Sequence, residues 1–429
     1  MNADIRTAIL AAVDAGFDEQ VKVAQRLVAA PSFCCREAPA QEVMAAELGA
    51  RGYDVDRWTF AASDLEDMPG YGPAVLDYDQ TFNVVGTLNA GSDRGRSLIL
   101  NGHVDVVPTG DPEDWTTPPF EPRIANGKLY GRGSGDMKAG LLAGLFGVEA
   151  IRKAGFDPLG RIHVQSVVDE ESSGNGTLAC VARGYTADAA LVLEPTAEDL
   201  ITTQIGIVWF HVRLRGTPAH ASGFQGRTPN VIEKAFTVME ALRKVEDRCN
   251  APENRHPAYA DHPHPIRLNI GQIEGGNWPS SAPGFCTFSG RLAAYPDQDP
   301  AEVMAALTEA VETATASDPF LKANPPQISF RGNRFPGFLA RGIETVRPAL
   351  ESAHQQAFGR PLRETVIAFG SDARVLGLNA GIPSLVYGPI SENLHGIDEC
   401  VDLESLRRVT KTVALFVADW CGIESRKGR

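Results

Sequence analysis

Hydrophobic residues in roughly the first half of the chain follow two alternating kinds of spacing. Apolar positions three and four residues apart predict amphipathic helices, which cover residues 4–30, 40–51 and 139–154. Short apolar runs bounded by polar turns are typical of buried strands, and they cover residues 82–88, 97–101, 128–130, 161–168 and 189–193. Because these strands alternate with long helices, this part of the chain is predicted to be an α/β domain.

The pattern changes at about residue 206, where a strand with alternating apolar and polar positions begins. Strand, helix, strand, strand, helix and strand then follow in that order, over residues 207–214, 229–245, 266–273, 285–293, 301–316 and 327–330. This order is typical of a small ferredoxin-like α+β domain. The α/β pattern then resumes, with helices at 345–357 and 403–420 and strands at 365–368 and 383–387.

These patterns indicate one α/β domain that is interrupted by an inserted α+β domain. The α/β domain would contain residues 1–205 and 333–429, and the insert would contain residues 206–332. A chain of 429 residues also exceeds the size of one ordinary hydrophobic core, which agrees with two domains.

The net charge and the cysteine content of the chain limit which binding partners and which cellular location are expected. A formal net charge of −14 argues against nucleic acid as a partner, because binding to phosphates requires clustered Lys and Arg. The seven cysteines follow no CxxC motif or regular spacing, so we interpret them as reduced thiols of a cytoplasmic protein. The sequence has no signal-peptide pattern and no apolar stretch of membrane-spanning length, so no membrane partner is expected.

Two polar motifs bring a His and an Asp to the ends of predicted strands, where open α/β sheets place their ligands. His103 follows the strand at 97–101, and Asp105 lies close enough to orient its imidazole. A surface turn explains this segment equally well on its own.

Residues 131–140 are rich in glycine but lack the ending of a phosphate loop and the full dinucleotide fingerprint. We interpret them as a tight turn that presents Asp136 to a site.

A run of three carboxylates, Asp169, Glu170 and Glu171, follows the strand at 161–168. Runs of charge usually lie in solvent, but like charges at a strand end repel each other unless a cation or a proton intervenes. One carboxylate on a metal ion and its neighbour as a general base is the natural division of roles.

Two further candidates complete the set. Glu194 closes the strand at 189–193, and His395 lies in the loop after the strand at 383–387. Mixed His and carboxylate ligands suit Zn, and also Co or Mn. Two metal ions bridged by one carboxylate would use the set fully, and one Glu would remain to deprotonate a water.

These motifs, in this order, resemble those of the M20 family of metallopeptidases and deacylases, which includes acetylornithine deacetylase, succinyl-diaminopimelate desuccinylase, aminoacylase and carboxypeptidase G. The likeness covers nearly the whole chain. It implies a zinc-peptidase-like α/β catalytic domain with an inserted ferredoxin-like domain that serves as lid and dimerisation domain, and hence a homodimer.

The resemblance also implies roles for individual residues. The implied ligands of two divalent metal ions, Zn or alternatively Co or Mn, are His103, Asp136, Glu171, Glu194 and His395. Asp136 would bridge the two ions, and the peptide bond between Asp136 and Met137 would be cis. Glu170 would be the general base, and Asp105 the partner of His103.

The insert carries implied site residues too. His220, in the segment 215–222, resembles a lid His that reaches the active site of the partner subunit and stabilises the developing oxyanion. Asn269 matches a lid asparagine near the substrate. Ser280 stands where the family usually has Asn, and Arg291 stands two residues before the usual Arg. An offset of two keeps a side chain on the same face of a strand, so Arg291 would still bind a substrate carboxylate.

The function implied most directly is hydrolysis of an N-acyl amino acid, as in acetylornithine deacetylase. A dipeptidase and a deformylase of an N-formyl heterocycle would use the same site on other substrates. A metal-binding relic without activity is disfavoured because every ligand and the general base are present, and a dinucleotide-dependent oxidoreductase is disfavoured by the missing fingerprint.

Overall fold

A computed structural model of the chain describes residues 1–74, 77–88, 94–224 and 230–426. In these ranges the α-helices are α1 (Ala3–Val28), α2 (Ala38–Ala50), α3 (Ala139–Lys153), α4 (Asn175–Ala182), α5 (Val231–Asn250), α6 (Pro300–Ser317), α7 (Pro319–Ala323), α8 (Arg347–Phe358) and α9 (Leu403–Cys421). The first strands are β1 (Asp54–Trp58), β2 (Asn83–Leu88), β3 (Leu98–His103), β4 (Arg123–Ala125), β5 (Lys128–Tyr130), β6 (Phe156–Pro158), β7 (Ile162–Val167), β8 (Ala190–Val192), β9 (Leu200–Gln204), β10 (Gly206–Arg215) and β11 (Ala219–His220). The later strands are β12 (Leu268–Gly275), β13 (Ser281–Ala282), β14 (Phe285–Ala294), β15 (Gln327–Ser329), β16 (Arg334–Phe335), β17 (Phe338–Leu339), β18 (Glu364–Ile367), β19 (Ser384–Val386), β20 (Ser391–Glu392), β21 (Cys400–Asp402) and β22 (Ile423–Ser425).

The chain divides into two compact units. Unit 1 contains Met1–Thr202, Ala340–Thr365 and Ser371–Arg429, and unit 2 contains Thr203–Leu339 and Val366–Gly370. Unit 2 therefore extends beyond the predicted insert at both ends, by residues 203–205 and 333–339, and also includes the segment 366–370. β17 belongs to it because it pairs with Thr203 and Gln204, and the segment 366–370 belongs to it in part because Tyr259 Oη donates a hydrogen bond to the Ile367 carbonyl at 2.7 Å.

Unit 1 is built on a mixed sheet whose inner strands are parallel. β7, β3, β8 and β19 are neighbours in that order, with His103 opposite Val167 and Asn101 opposite Val192. β1 and β2 extend the sheet with antiparallel pairings beyond β7, and β9 joins β19 antiparallel on the other side. Every residue of β3 and β7 is buried, which explains their continuous apolar pattern. The carboxyl ends of the four parallel strands share one edge of the sheet.

Helix α3 brings the glycine turn to that edge. The helix packs against α1, α9 and β3, and its first turn lies so close to the chain after β8 that a Cβ at Gly140 would collide with the Leu193 carbonyl. Only glycine allows this approach. The turn that holds Asp136 is thereby placed beside the end of β8.

Helix α4 was not anticipated from the pattern. It follows the acidic run, and its first six residues are all buried. A helix that is buried on all sides shows no alternation of apolar and polar positions, so the periodicity that reveals surface helices is missing. None of the helices in the described ranges has both the length and the apolar character needed to cross a bilayer.

Unit 2 has a ferredoxin-like core. Its sheet has the strand order β12-β14-β10-β15, and the three pairings along it are antiparallel. Buried side chains of β10 alternate with partly exposed ones, and the buried set packs with α5 and α6 in one hydrophobic cluster. The predicted start of α5 at residue 229 lies outside the described residues. The described helix begins at Val231, where the Asn230 side chain accepts the Ile232 N–H at 3.0 Å.

Candidate metal centre

Side chains from several separate segments of unit 1 meet at the carboxyl edge of its sheet. His103 is the last residue of β3, Glu170 and Glu171 follow β7, and Glu194 follows β8. His395 comes from the loop between β20 and β21, and Asp136 comes from the glycine turn before α3. These segments are distant in sequence, and the parallel strands bring them together.

Asp136 lies between the two imidazoles. Its Oδ1 is 3.1 Å from His103 Nε2, and its Oδ2 is 3.4 Å from His395 Nε2. Beyond His395, the Glu171 Oε1 atom is 3.1 Å from His395 Nε2, and beyond His103, the Glu194 Oε1 atom is 3.9 Å from His103 Nε2. Each oxygen of Asp136 therefore faces one His, and each His has a second carboxylate beside it. The peptide bond between Asp136 and Met137 is cis.

Two groups of potential ligand atoms result from this arrangement. His103, Asp136 and Glu171 form one group, and His103, Glu170 and Glu194 form the other, with the ligand atoms of each group within 4.8 Å of one another. Imidazole nitrogens and carboxylate oxygens at these separations are a donor set that suits Zn, Co or Mn. The chemistry of the cluster therefore fits divalent metal ions.

Asp105 orders the backbone beneath the cluster. Its carboxylate accepts the backbone N–H groups of Glu170 at 3.1 Å and Glu171 at 3.0 Å. His103 Nδ1 is 3.0 Å from the Asp105 carbonyl oxygen and 3.4 Å from the carboxylate. The nearest partner of the imidazole is thus the main-chain carbonyl rather than the carboxylate that the sequence suggested, and Asp105 fixes the positions of three neighbouring residues at once.

Burial and mutual repulsion shift the ionisation of the carboxylates. Burial raises the pKa of Glu194 well above its usual value, and the charge of Asp136 raises it further. The pKa of Glu171 is raised by the same two causes. Burial also acts to raise the pKa of Asp136, but hydrogen bonds from His103 and His395 outweigh it and hold that pKa below its usual range. Closely spaced carboxylates of this kind are stabilised by a bound cation.

Glu399 holds the Asp136 backbone, and sequence reasoning did not identify it. One oxygen accepts the N–H groups of Gly135 at 2.9 Å and Asp136 at 3.0 Å. The other oxygen accepts a hydrogen bond from Arg132 Nη1 at 2.6 Å, and both side chains of this ion pair are at most 2% exposed. The only available signal was that an acidic residue lies four positions after His395.

Breaking this buried pair is expected to destabilise the fold. In Glu399→Gln the Arg132 charge remains buried without a counter-charge, and the expected loss is about 3–5 kcal/mol of unfolding free energy. Chemical denaturation monitored by circular dichroism measures it. The matched control is Glu392→Gln, which removes the carboxylate of an ion pair with Lys128 where the Glu side chain is 54% exposed. Its expected cost is much smaller, because ion pairs between exposed side chains contribute little to stability. Equal losses in the two variants would contradict the special role of Glu399.

Glu170, like Glu171, is a residue of the acidic run that reaches this edge of the sheet. Its neighbours are Arg374 and Asp372. Arg374 Nη1 lies 3.6 Å from Glu170 Oε1 and 3.7 Å from Asp372 Oδ1. The other Asp372 oxygen accepts a 2.6 Å hydrogen bond from Thr177. Burial raises the pKa of Glu170 well above its usual value, and the charge of Asp372 adds to this effect. Glu170 is therefore a carboxylate whose proton affinity is increased by its surroundings.

The sequence matches the model of peptidase family M20/M25/M40 over residues 99–419. The chain belongs to the M20 family. The resemblance inferred from the motifs is confirmed, and so is the fold class. As an M20 member with this cluster, the chain is a metal-dependent amidohydrolase.

Two deformylases and one solved structure are similar to this chain over most of its length. The chain is 31% identical to an N-formyl-4-amino-5-aminomethyl-2-methylpyrimidine deformylase from Halalkalibacterium halodurans, over 96% of this chain and 97% of that protein. It is 32% identical to the deformylase of the same name from Bacillus subtilis, over 89% of each. The structure of the dipeptidase Dug1p from Saccharomyces cerevisiae superposes with a TM-score of 0.80 at 15% identity, covering 97% of this chain and 98% of that one. This last likeness shows the M20 fold alone.

The remaining candidate site residues of this M20 enzyme lie in unit 2. His220 is the last residue of β11 and is exposed. Its Nδ1 accepts the backbone N–H of Ser222 at 3.2 Å. The neutral ring therefore carries its proton on Nε2, which can act as a hydrogen-bond donor. The Ser280 carbonyl accepts the Ala221 N–H at 3.0 Å, so Ser280 supports this loop through its main chain.

Asn269 and Arg291 are directly opposite each other on β12 and β14, and Trp209 is opposite Arg291 on β10. Opposed residues share a face of the sheet, and this face is the one away from α5 and α6. Burial and the neighbouring Arg267 lower the pKa of Arg291. Among the described residues no carboxylate pairs with its guanidinium.

Proposed function

We propose that this M20 enzyme hydrolyses the N-formyl amide of a small heterocyclic amine, with release of formate and the amine. The observation that carries the proposal is the identity of 31–32% to two deformylases over most of each chain. These relatives favour the heterocyclic substrate over the N-acyl amino acid that the family resemblance implied most directly. The His–carboxylate cluster supports the chemistry, since an amidohydrolase of this family needs such a site.

His103 and Glu194 would hold one metal ion, His395 and Glu171 the other, and Asp136 would bridge them. This assignment is supported by the two Asp136 oxygens, each of which faces one imidazole. Two divalent ions held there would lower the pKa of a water and polarise the carbonyl of the substrate. Zn is the ion we expect, and Co or Mn would also suit the ligands.

Glu170 would act as the general base and then as the general acid. Its carboxylate takes a proton from the attacking water, whose oxygen forms a bond to the formyl carbon. As the C–N bond breaks, Glu170 returns that proton to the leaving nitrogen. Asp105 contributes by fixing the Glu170 backbone.

His220 would donate a hydrogen bond to the oxyanion of the tetrahedral intermediate in the partner subunit of a homodimer. Its Nδ1 contact supports this role, because it leaves Nε2 as the donor. Unit 2 would supply the dimer contact.

A second substrate class, N-acyl amino acids, is favoured by one observation. Arg291 is partly buried and pairs with no carboxylate of the described residues, and Asn269 stands opposite it. A guanidinium in this setting would bind the carboxylate of an amino acid. The pyrimidine named in the deformylases carries no carboxylate. The two substrate classes therefore differ in whether the substrate has a carboxylate for Arg291 to bind.

A hydrolysis panel on metal-depleted and reloaded protein tests the proposal. The panel contains the N-formyl aminomethylpyrimidine, N-formyl, N-acetyl and N-succinyl amino acids, the same compounds as carboxamides, and dipeptides. We expect the formylated pyrimidine to have the highest kcat/KM by at least about tenfold, or about 1.4 kcal/mol. We expect no hydrolysis by the depleted protein, with recovery on addition of Zn, Co or Mn.

Two results would contradict these expectations. A higher kcat/KM for an N-acyl amino acid than for the formylated pyrimidine, with most of that rate lost in the matching carboxamide, would assign the enzyme to the second class. Full activity in protein that elemental analysis shows to be free of metal would exclude the metal-dependent mechanism.

A further inference from the structure

A second group of metal-ligating side chains lies in unit 1 and shares no side chain with the His–carboxylate cluster. It consists of Cys34, Cys35 and Asp169, whose ligand atoms are within 4.8 Å of one another. Cys34 Sγ is 3.5 Å from Cys35 Sγ and 3.1 Å from Asp169 Oδ1. The hydrolytic mechanism uses none of these three groups.

The backbone places both sulfur atoms on one side of the chain. Neighbouring side chains of an extended chain point in opposite directions, but Cys35 has a left-handed backbone with φ of 60°. Residues other than glycine adopt this conformation infrequently. The Cys35 N–H donates to Glu37 Oε1 at 2.8 Å, which anchors the loop in this form.

Asp169 is turned toward the thiols, unlike the two acidic residues that follow it. Its carboxylate accepts hydrogen bonds from Cys34, from the Ser172 and Ser173 hydroxyls and, at 2.5 Å, from Tyr78 Oη. Asp169 is also buried and has a left-handed backbone with φ of 61°. The acidic run is therefore split, and Asp169 belongs to a separate environment.

We propose that Cys34, Cys35 and Asp169 form a binding site for a thiophilic divalent cation such as Cd²⁺ or Zn²⁺. Tetrahedral coordination of Zn²⁺, with a Zn–S distance of about 2.3 Å, places two sulfur ligands about 3.8 Å apart, and a sulfur and an oxygen about 3.5 Å apart. The observed separations of 3.5 Å and 3.1 Å differ from these by only a few tenths of an ångström.

The donor set also selects the class of ion. Thiolates favour soft cations, whereas Mg and Ca prefer oxygen ligands. Each thiol that binds the ion releases its proton to solvent. The ion can reach the group because Cys34 is partly exposed, and the Ser172 hydroxyl, 3.1 Å from Cys34 Sγ, is available as a further ligand.

Titration of the Zn-loaded enzyme with Cd²⁺ tests the site. The readout is the ultraviolet charge-transfer absorption of cadmium–thiolate bonds. The His–carboxylate cluster contains no thiol, so Cd²⁺ that exchanges into it adds nothing to this absorption. We expect the signal to saturate near one Cd²⁺ per chain. Cys34→Ser removes one of the two thiolates at a partly exposed position. We expect the apparent affinity to fall at least about 100-fold, because the loss of a residue that only supports a ligand already costs about 10–100-fold.

The matched control is Cys249→Ser, at a partly exposed cysteine of unit 2. This variant should keep the wild-type titration curve, and circular dichroism should show that both variants are folded. Absence of the signal in the wild-type enzyme would overturn the proposal. A wild-type curve in Cys34→Ser, or loss of the signal in Cys249→Ser, would overturn it as well.

Discussion

Replacing Glu170 with Gln is expected to lower kcat by at least about 10²-fold, the lower end of the loss when a general base is removed. Gln preserves the size of the side chain but cannot accept a proton from water. The protein should keep its metal content, because the proposed ligands are all still present. Steady-state kinetics on the formylated pyrimidine and elemental analysis of the same samples measure the two quantities.

The matched variant is Glu171→Gln, one residue further along the chain. Glu171 Oε1 lies 3.1 Å from His395 Nε2, whereas Glu170 Oε1 lies 3.6 Å from Arg374 Nη1. Glu171→Gln should therefore lose metal first and activity as a consequence. Glu170 is also close enough to His103 and Glu194 to serve as a metal ligand. The geometry therefore permits either Glu to bind metal, and the two variants distinguish these assignments. If Glu170→Gln lost metal and Glu171→Gln retained it, the two roles would be exchanged.

The sequence could indicate that these polar side chains meet at one edge of the sheet, because the carboxyl ends of parallel strands lie side by side. Apolar runs could be recognised at β3, β7 and β8, and the polar residues after them had to share one edge of the sheet. This reasoning singled out His103, the acidic run and Glu194, whereas the choice of Glu171 within the run came from the family resemblance. The order of the strands was not needed, since any order of parallel strands brings their carboxyl ends to the same edge.

The residues that support the cluster could not be found in the same way. Glu399 contacts Arg132 and the Asp136 backbone across more than 260 positions of sequence, and Arg374 approaches Glu170 from a segment that the motifs left without a role. Such contacts depend on how loops return to the site, which local periodicity does not record. The split of the acidic run is another example, since three consecutive carboxylates gave no indication that Asp169 faces Cys34.

In unit 2 the periodicity predicted the four longer strands β10, β12, β14 and β15 but not their register, and it did not predict the two-residue strands β11, β13, β16 and β17. The position of Arg291 was a departure from the family pattern, and the offset of two residues only indicated the face of the strand. The register places Arg291 between Asn269 and Trp209 on one face of the sheet. A local shift of register between Ile270 and Gln272 separates this part of β12 from the rest, and a bulge of this kind is not visible in the hydrophobic pattern.

The second large effect concerns His220, for which we propose a role in trans. His220→Ala is expected to lower kcat by about 10²–10³-fold, the usual result of removing one oxyanion donor. Metal content should be unchanged, since no proposed ligand is altered. His220→Gln keeps a hydrogen-bond donor and should recover part of the loss. His262→Ala, at a partly exposed His of unit 2, is the control and should keep the wild-type rate.

Mixing two inactive variants tests whether His220 acts on the partner subunit. A heterodimer of one His220→Ala subunit and one Glu170→Gln subunit contains one site that has both Glu170 and the partner's His220. Under random exchange half the dimers are mixed and each has one complete site of two, so activity should return to about one quarter of the wild-type value. Exchange itself is followed with subunits of different mass. If subunits exchange and no activity returns, His220 acts within its own chain or has no part in the reaction, because only an arrangement in trans can assemble a complete site from two defective chains.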